Sequence, residues 1–171
     1  NRGNLSKILG ELLSLIEFDK RTIKHATTLA YSRERFHVPS NVRLIGLMNT
    51  ADRSLAMVDY ALRRRFAFFD LQPAFGTEFR KYLSGKGVDK SLITQIQDKI
   101  EILNKQVRED RDNLGSGFEI GHSFFCNPPQ DSGLGIAWFK SVIEHDIEPL
   151  LREYWFDDLD KSEERIRDLL K

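Results

Sequence analysis

The chain has 171 residues, enough for one ordinary domain or two small ones, and its 40% hydrophobic content with twelve Phe can furnish a core. Basic and acidic residues number 26 each, so the formal net charge of +0 gives no support to a nucleic-acid-binding surface spread over the whole chain. The lone Cys126 excludes an internal disulfide and a cysteine-based zinc cluster, and no apolar run approaches the roughly 18 residues of a membrane span. The start lacks signal-peptide character, and the missing initiator Met predicts a piece of a longer protein.

The first predicted element is an amphipathic helix over residues 5–17, with Asn4 as its N-cap. Its apolar residues recur at helical spacing: Leu5, Ile8, Leu9, Leu12 and Ile16. The stretch that follows is mixed, with Thr27 and Thr28 favouring extended backbone before Pro39 introduces a turn.

A strand, a polar loop, a helix and a second strand are predicted next. The run from Val42 to Met48 is apolar apart from Arg43, as expected of a strand buried on both faces in a parallel sheet. Ser54 or Asp52 can cap the following helix, and Phe66 to Leu71 resumes a strand. The apolar face of that helix is Leu55, Val58 and Leu62.

After Gln72 the pattern becomes helical. Ser91 is predicted to cap a long helix that runs to about Glu109, and two further helices are expected over roughly residues 136–154 and from about Ser162. The apolar stripe of the long helix is Leu92, Ile96, Ile100, Leu103 and Val107. The sequence therefore predicts an α/β unit at residues 1–72 and an all-helical unit at residues 73–171.

Asn49 is the first strongly polar residue after the predicted buried strand. Ligands of open parallel sheets lie beyond the carboxyl ends of the strands, so an amide at this position could orient a water molecule at a ligand. Asp52 and Arg53 follow in the same turn and could form a polar network around a phosphate or a neighbouring subunit. The alternative, weighed equally, is that residues 49–54 form only an Asx-type turn and a helix cap.

Three consecutive arginines, Arg63, Arg64 and Arg65, end the helix that follows this loop. Cations at a helix C-terminus contribute only about 0.3 to 1 kcal/mol, and a solvated charge run is the simplest explanation. However, three arginines exceed that need, and the planar guanidinium suits phosphate recognition across a subunit boundary.

Four segments in register resemble the McrB-type AAA+ NTPases of modification-dependent restriction systems. They are "NRGNLSKILGELLSLIE" at residues 1–17, "MNTADRS" at 48–54, "VDYALRRRF" at 58–66 and "IGHSFF" at 120–125. The resemblance covers essentially the whole chain and implies the C-terminal part of an AAA+ core, a parallel sheet with helices, followed by an all-helical lid.

The resemblance also implies residue roles. Asn49 corresponds to the sensor-1 amide near the γ-phosphate and the attacking water, and Asp52 and Arg53 complete that signature. Arg65 matches the arginine finger that acts in trans on a neighbouring subunit, and Arg64 could share the role.

Four further residues are candidates for nucleotide binding. Asn1 and Arg2 match the last residues of a Walker B segment, whose catalytic carboxylates would precede this chain. His122 and Ser123 fall in the lid, where a packing or capping role is favoured over a sensor-2 role. No metal ligands are assigned within the chain.

The chain has no phosphate loop of the form GxxxxGK[ST], whose amides and Lys hold the β- and γ-phosphates. The nearest segment, "SGKGVDKS" at residues 84–91, fails this pattern and is interpreted as an exposed turn between helices. We therefore expect that the chain alone neither binds nucleotide tightly nor hydrolyses it. We also expect poor independent folding, because the strand that carries the phosphate loop would lie between the two predicted strands.

For a longer parent the resemblance implies a homo-oligomeric ring in the cytoplasm of a bacterium or archaeon, with GTP, or ATP, and Mg²⁺ bound between subunits. An N-terminal domain would read modified cytosine, such as 5-methylcytosine, in DNA, and a separate McrC-like nuclease would stimulate hydrolysis and cleave. No membrane partner is expected.

Two alternatives stay open. The parent could be an ATP-dependent, MoxR-like AAA+ protein that remodels other proteins, because sensor and finger residues do not report the base. The chain could also be a non-catalytic interaction module, although the mixed charges from Ser91 onward and the acidic residues 157–160 argue against DNA binding by its helical half.

Overall fold

The computed structural model describes residues 5–49, 51, 60–129 and 135–171. The chain divides into two compact units, Asn1–Asp70 and Leu71–Lys171. Among the described residues, no helix combines the length and apolar character that crossing a membrane requires.

The first unit begins with two short helices rather than one. Helix α1 spans Leu5–Leu9 and helix α2 spans Leu12–Leu15. Gly10 separates them with a φ of 49°, a left-handed conformation that glycine adopts without steric cost. The single helix predicted over residues 5–17 is therefore wrong in its continuity, and its predicted cap Asn4 lies outside the described residues.

Two short antiparallel strands follow, β1 at Thr27–Thr28 and β2 at Arg35–Phe36. Thr27 is paired with Phe36, which confirms the extended conformation predicted for the threonines. Arg21 ties this region together, because its guanidinium donates to the carbonyl of Ile16 and, over 2.8 Å, to the carbonyl of Val42.

The run from Val42 to Met48 is not a strand among the described residues, contrary to the prediction. It forms no regular secondary structure, and Ile45 and Leu47 are 87% and 90% exposed. A parallel strand cannot pair with its own sequence neighbours, and it needs strands from elsewhere on both sides. The run remains an exposed apolar segment because the chain supplies no such partner to it in the described region.

The second predicted strand, Phe66 to Leu71, is wrong for the same reason. It follows helix α3 at Tyr60–Arg63 and has no strand conformation. Phe69 is 85% exposed and Leu71 is 90% exposed. Most of the helix predicted between the two strands lies outside the described residues, although Leu62 of its apolar face is buried.

The second unit is all-helical. It contains α4 at Thr77–Gly85, α5 at Lys90–Glu109, α6 at Ile136–Val142, α7 at Glu148–Tyr154 and α8 at Leu159–Leu170. A π-helical turn at Ile143–Ile147 joins α6 to α7, so the helical span predicted over residues 136–154 is confirmed. The last helix begins three residues earlier than predicted, where Asp158 accepts a hydrogen bond from the Lys161 amide.

The long helix α5 organises the core of this unit. Its whole predicted apolar stripe is buried, and the stripe packs with side chains from the other helices. Asp89 caps the helix by accepting from the Ser91 amide, so the cap predicted at Ser91 is wrong by two residues. The turn predicted at residues 84–91 is present between α4 and α5, with Gly87 at a φ of 87°, but it is shorter than predicted because both ends of the segment are helical. Val88 in this turn is buried, contrary to the exposed turn that was predicted.

Asn104, which is 3% exposed on α5, fixes the loop that follows the helix. Its side-chain amide donates to the carbonyl of Ile120 over 2.9 Å, and its Oδ1 accepts from the Ile120 amide over 2.6 Å. One side chain thus satisfies both backbone groups of a buried residue, which removes the cost of burying them unpaired.

Asp110, at the C-terminal end of α5, connects two later elements. Its Oδ2 accepts from Trp155 Nε1 over 2.7 Å and from Lys161 Nζ over 2.6 Å. The hydrogen bond from Lys161, followed by that from Trp155, lowers the pKa of Asp110 below its ordinary value. The Lys161 ammonium also lies 5.3 Å from the centre of the Trp155 ring, within cation–π range.

We predict that Asn104→Ala destabilises the helical unit by about 2 to 4 kcal/mol, because both backbone groups of Ile120 lose their partner inside the core. Urea unfolding followed by circular dichroism at 222 nm measures the change. Glu101→Ala, an exposed substitution on the same helix, is the control and should change the free energy of unfolding by less than about 0.5 kcal/mol. An unchanged midpoint for Asn104→Ala would contradict the prediction.

A second prediction concerns pH. Because folding lowers the pKa of Asp110, its contribution is fully present above the unfolded-state pKa of about 3.9 and is lost as the pH falls through the folded-state pKa. Asp110→Asn should therefore cost about 1 to 2 kcal/mol at pH 7, and the gap to the wild type should close as the pH falls below about 4. Urea unfolding across this pH range tests it, with the exposed Asp112→Asn as the control; a gap independent of pH would refute it.

Candidate functional site

Asn49 lies at the end of the exposed apolar run. Its side-chain Oδ1 accepts a hydrogen bond from the Ala51 amide over 3.1 Å. This is the Asx-type turn considered as the alternative for this segment, and Asn49 itself is exposed. The amide group is thus held by its own turn and remains accessible to a ligand.

Arg64 and Arg65 differ in their surroundings, although they are neighbours at the end of α3. Arg64 is exposed, whereas the Arg65 side chain is only 9% exposed and forms an ion pair with Glu17. The distance between Arg65 Nη2 and Glu17 Oε1 is 2.6 Å. Of these two neighbouring arginines, Arg65 is the one whose guanidinium contacts a carboxylate in the described part of the chain.

Glu17 also binds Lys20, whose Nζ lies 2.7 Å from the other carboxylate oxygen. The hydrogen bond from Lys20, together with the charges of Lys20 and Arg65, holds the pKa of Glu17 below its ordinary value. The carboxylate is thus ionised and shared between two cations.

His122 lies in a short 3₁₀ helix, His122–Phe125, in the helical unit. Its Nδ1 accepts from the Ala74 amide over 3.0 Å, so the proton of the neutral ring resides on Nε2. The ring also makes edge-to-face contacts with Phe75 and Phe79, at centroid distances of 6.2 Å and 6.5 Å. Ser123, the other lid candidate, is exposed.

Four of the predicted site residues lie outside the described residues: Asn1, Arg2, Asp52 and Arg53. Among the described candidates, Asn49 is bonded within its own turn, Arg65 to Glu17, and His122 to Ala74.

A cavity of about 410 Å³ lies in the helical unit, and none of the predicted site residues lines it. It is lined by Arg108, Arg111, Gly115 and Ser116. Arg108 is already paired with Glu119 at 2.5 Å, so one of the two guanidiniums has its charge neutralised within the unit. The cavity therefore includes no part of the predicted site, whose arginines and Asn49 belong to the first unit.

Sequence reasoning missed Glu17, the residue that fixes Arg65. Residues 17 and 65 are far apart in the chain, and Glu17 reads as one more polar position at the end of an amphipathic helix. Hydrophobic periodicity does not reveal an ion pair between residues so distant in the chain. The sequence shows only that an acidic residue follows the apolar face of the predicted helix.

We predict that His122→Ala destabilises the helical unit by about 1 to 3 kcal/mol, because it removes an acceptor for the Ala74 amide and two aromatic contacts. His122→Asn, whose Oδ1 can replace Nδ1, should lose less. Urea unfolding of both variants measures the change in the free energy of unfolding. Ser123→Ala, a substitution at an exposed position, is the control. Equal losses for Ala and Asn would show that the hydrogen bond contributes nothing.

Two segments of the chain match known protein families. Residues 1–66 match the family described as "AAA domain (dynein-related subfamily)", and residues 95–163 match "McrB, alpha-helical lid domain". The chain is 47% identical over 175 aligned positions to the "Type IV methyl-directed restriction enzyme EcoKMcrB subunit" of Escherichia coli (strain K12). That alignment covers 99% of this chain and 38% of the relative, so the chain spans well under half of the relative's length. The chain is therefore a homologue of this McrB subunit over a segment that matches an AAA domain and a segment that matches the McrB helical lid.

Proposed function

We propose that the chain is part of the motor subunit of a modified-cytosine-dependent restriction system, which hydrolyses GTP between subunits of a ring to drive DNA translocation and cleavage. The observation that carries this proposal is the 47% identity to a methyl-directed restriction enzyme subunit, which extends over both the AAA segment and the lid. The aligned region extends over the segments that carry Asn49, the arginine cluster and the lid.

In this proposal the residues of the first unit act on the phosphates. The exposed amide of Asn49, oriented by its own turn, positions the attacking water. The guanidinium of Arg65, with Arg64 beside it, stabilises the charge that develops on the γ-phosphate of a neighbouring subunit. Asp52 and Arg53 complete the polar network around Asn49.

Magnesium would neutralise phosphate charge in such a site. Among the described residues, no group of three or more carboxylate, His or Cys side chains lies together as a metal site would require. Mg²⁺ at such sites takes one or two protein oxygens together with phosphate oxygens, and we propose that these protein ligands lie in the upstream sequence with the phosphate loop. The phosphate loop would come from sequence upstream, and we propose that the chain without it is inactive.

The two exposed apolar segments support a parallel-sheet core in the longer subunit. Val42 to Met48 and Phe66 to Leu71 are strongly apolar, yet their side chains lie open to water. Exposed segments of this kind gain stability when neighbouring strands form hydrogen bonds with their backbone and remove their apolar side chains from water. We propose that the strand bearing the phosphate loop lies between them, and that residues 1–72 end the AAA+ core while residues 73–171 form the lid.

The remaining partners follow from the same proposal. The subunit would form a ring in the cytoplasm, recognise modified cytosine in DNA through an N-terminal domain, and recruit a McrC-like nuclease. His122 and Ser123 lie in the lid, where His122 stabilises the packing of Phe75 and Phe79 rather than facing a nucleotide in this proposal.

The proposal predicts that the full-length subunit hydrolyses GTP in preference to ATP and that Arg65→Ala lowers kcat by about 10³-fold, the scale of an arginine finger. The measurement is steady-state hydrolysis of both nucleotides, with and without the genomic neighbour as candidate nuclease. Arg63→Ala, which removes a neighbouring exposed cation, is the matched control and should leave kcat nearly unchanged.

Three outcomes would contradict the proposal. A preference for ATP would favour a protein-remodelling relative, and turnover with neither nucleotide would favour an interaction module. Equal losses for Arg63→Ala and Arg65→Ala would show that only the summed positive charge matters.

Mixing Arg65→Ala subunits with Asn49→Ala subunits should restore turnover if the finger acts in trans.

A further inference from the structure

The ion pair between Glu17 and Arg65 joins two parts of the first unit that are distant in sequence. Glu17 follows helix α2 directly, and Arg65 lies just after helix α3. Their contact distance of 2.6 Å is that of a strong, charge-assisted hydrogen bond. The Arg65 side chain is 9% exposed and that of Glu17 is 23% exposed, so water screens this pair less than an ordinary surface pair.

The pair restricts the guanidinium of Arg65. An arginine side chain at a helix end has several rotatable bonds, and ordering it costs conformational entropy. A carboxylate bound to one amino group restricts the position of the guanidinium before any ligand arrives. A guanidinium carries five N–H donors, and the contact with Glu17 through Nη2 uses only part of that capacity.

Lys20 fixes the carboxylate in turn. Lys20 binds Oε2 of Glu17 while Arg65 binds Oε1, so each oxygen has its own cation. Lys20 is three residues after Glu17, which places both on one local segment. This arrangement stops the carboxylate from rotating away from Arg65, and it distinguishes Glu17 from the nearby Asp19, which is exposed.

We propose that Glu17 is a positioning residue for the arginine finger: it holds the Arg65 guanidinium of its own subunit in the orientation that contacts the nucleotide of the neighbouring subunit. This inference rests on the proposed role of Arg65 in hydrolysis. Glu17 acts only through Arg65, so the two residues form one functional unit in the subunit that supplies the finger, and Glu17 touches no substrate itself.

The test uses the full-length protein and steady-state GTP hydrolysis, with ATP measured alongside. Glu17→Gln keeps the shape of the side chain and removes its charge, and Glu17→Ala removes the contact. Both should lower kcat by about 10- to 100-fold, the scale of a misplaced catalytic group, and leave KM for the nucleotide within about twofold. Asp19→Asn, which removes an exposed carboxylate two residues away, is the matched control and should leave kcat unchanged.

Two further measurements separate positioning from a general structural role. The double variant Glu17→Ala/Arg65→Ala should be no slower than Arg65→Ala alone, because Glu17 has no effect once its target is gone. Glu17→Ala subunits should also regain turnover when mixed with Asn49→Ala subunits, since the defect lies in the subunit that donates the finger. Urea unfolding and ring assembly by light scattering establish that each variant is folded, and Glu17→Gln serves if Glu17→Ala is not.

The outcomes distinguish this inference from the proposed function. Loss of turnover in Arg65→Ala with wild-type kcat in both Glu17 variants would overturn the inference and leave the function standing. Additive losses in the double variant, or failure of the mixed subunits to recover while Arg65→Ala subunits do, would also overturn it. Wild-type turnover in Arg65→Ala would instead refute the role of the finger itself.

Discussion

Burial of one face of the long helix α5 is the interaction on which the better-packed half of this protein depends. Its apolar side chains form the middle of a cluster to which the later helices and the aromatic residues before α4 contribute. Two polar side chains connect this helix with later segments. Asn104, on α5, forms hydrogen bonds with Ile120, and Asp110, directly after α5, accepts hydrogen bonds from Trp155 and Lys161. The helical unit is therefore stabilised by contacts that lie entirely within it.

The first unit contains segments whose stability depends on pairing with distant strands rather than on contacts within one segment. A helix satisfies its backbone hydrogen bonds within one segment, whereas a parallel strand depends on strands that are distant in sequence. Val42 to Met48 and Phe66 to Leu71 have the composition of buried strands, but nothing in the described part of the chain pairs with them. The same apolar segments that are exposed here are what a complete AAA+ core would bury.

Within that loosely packed unit the charged side chains are nevertheless ordered. Arg21 binds the carbonyls of Ile16 and Val42, and Glu17 binds Arg65 and Lys20. Ion pairs and hydrogen bonds to arginine thus connect the end of α2 with Val42 in the first predicted strand and with Arg65, which directly precedes the second. In the proposed ring this connection gives the finger a defined orientation before the neighbouring subunit is engaged, which lowers the entropy lost on contact.

The sequence by itself determined the features that depend on local periodicity: the long helix, its buried stripe, the helical span at residues 136–154 and the turn between α4 and α5. Its motifs also predicted the resemblance to McrB-type proteins, which the 47% identity to an McrB subunit confirms. It placed Asn49 and the arginines as candidates through the motif, and their roles remain proposals. Tertiary structure alone decided that Glu17 pairs with Arg65, that His122 accepts from Ala74, and that the two apolar runs lie open. The physical reason is that side-chain periodicity is a property of one segment, whereas ion pairs, buried acceptors and strand pairing depend on which distant segments meet.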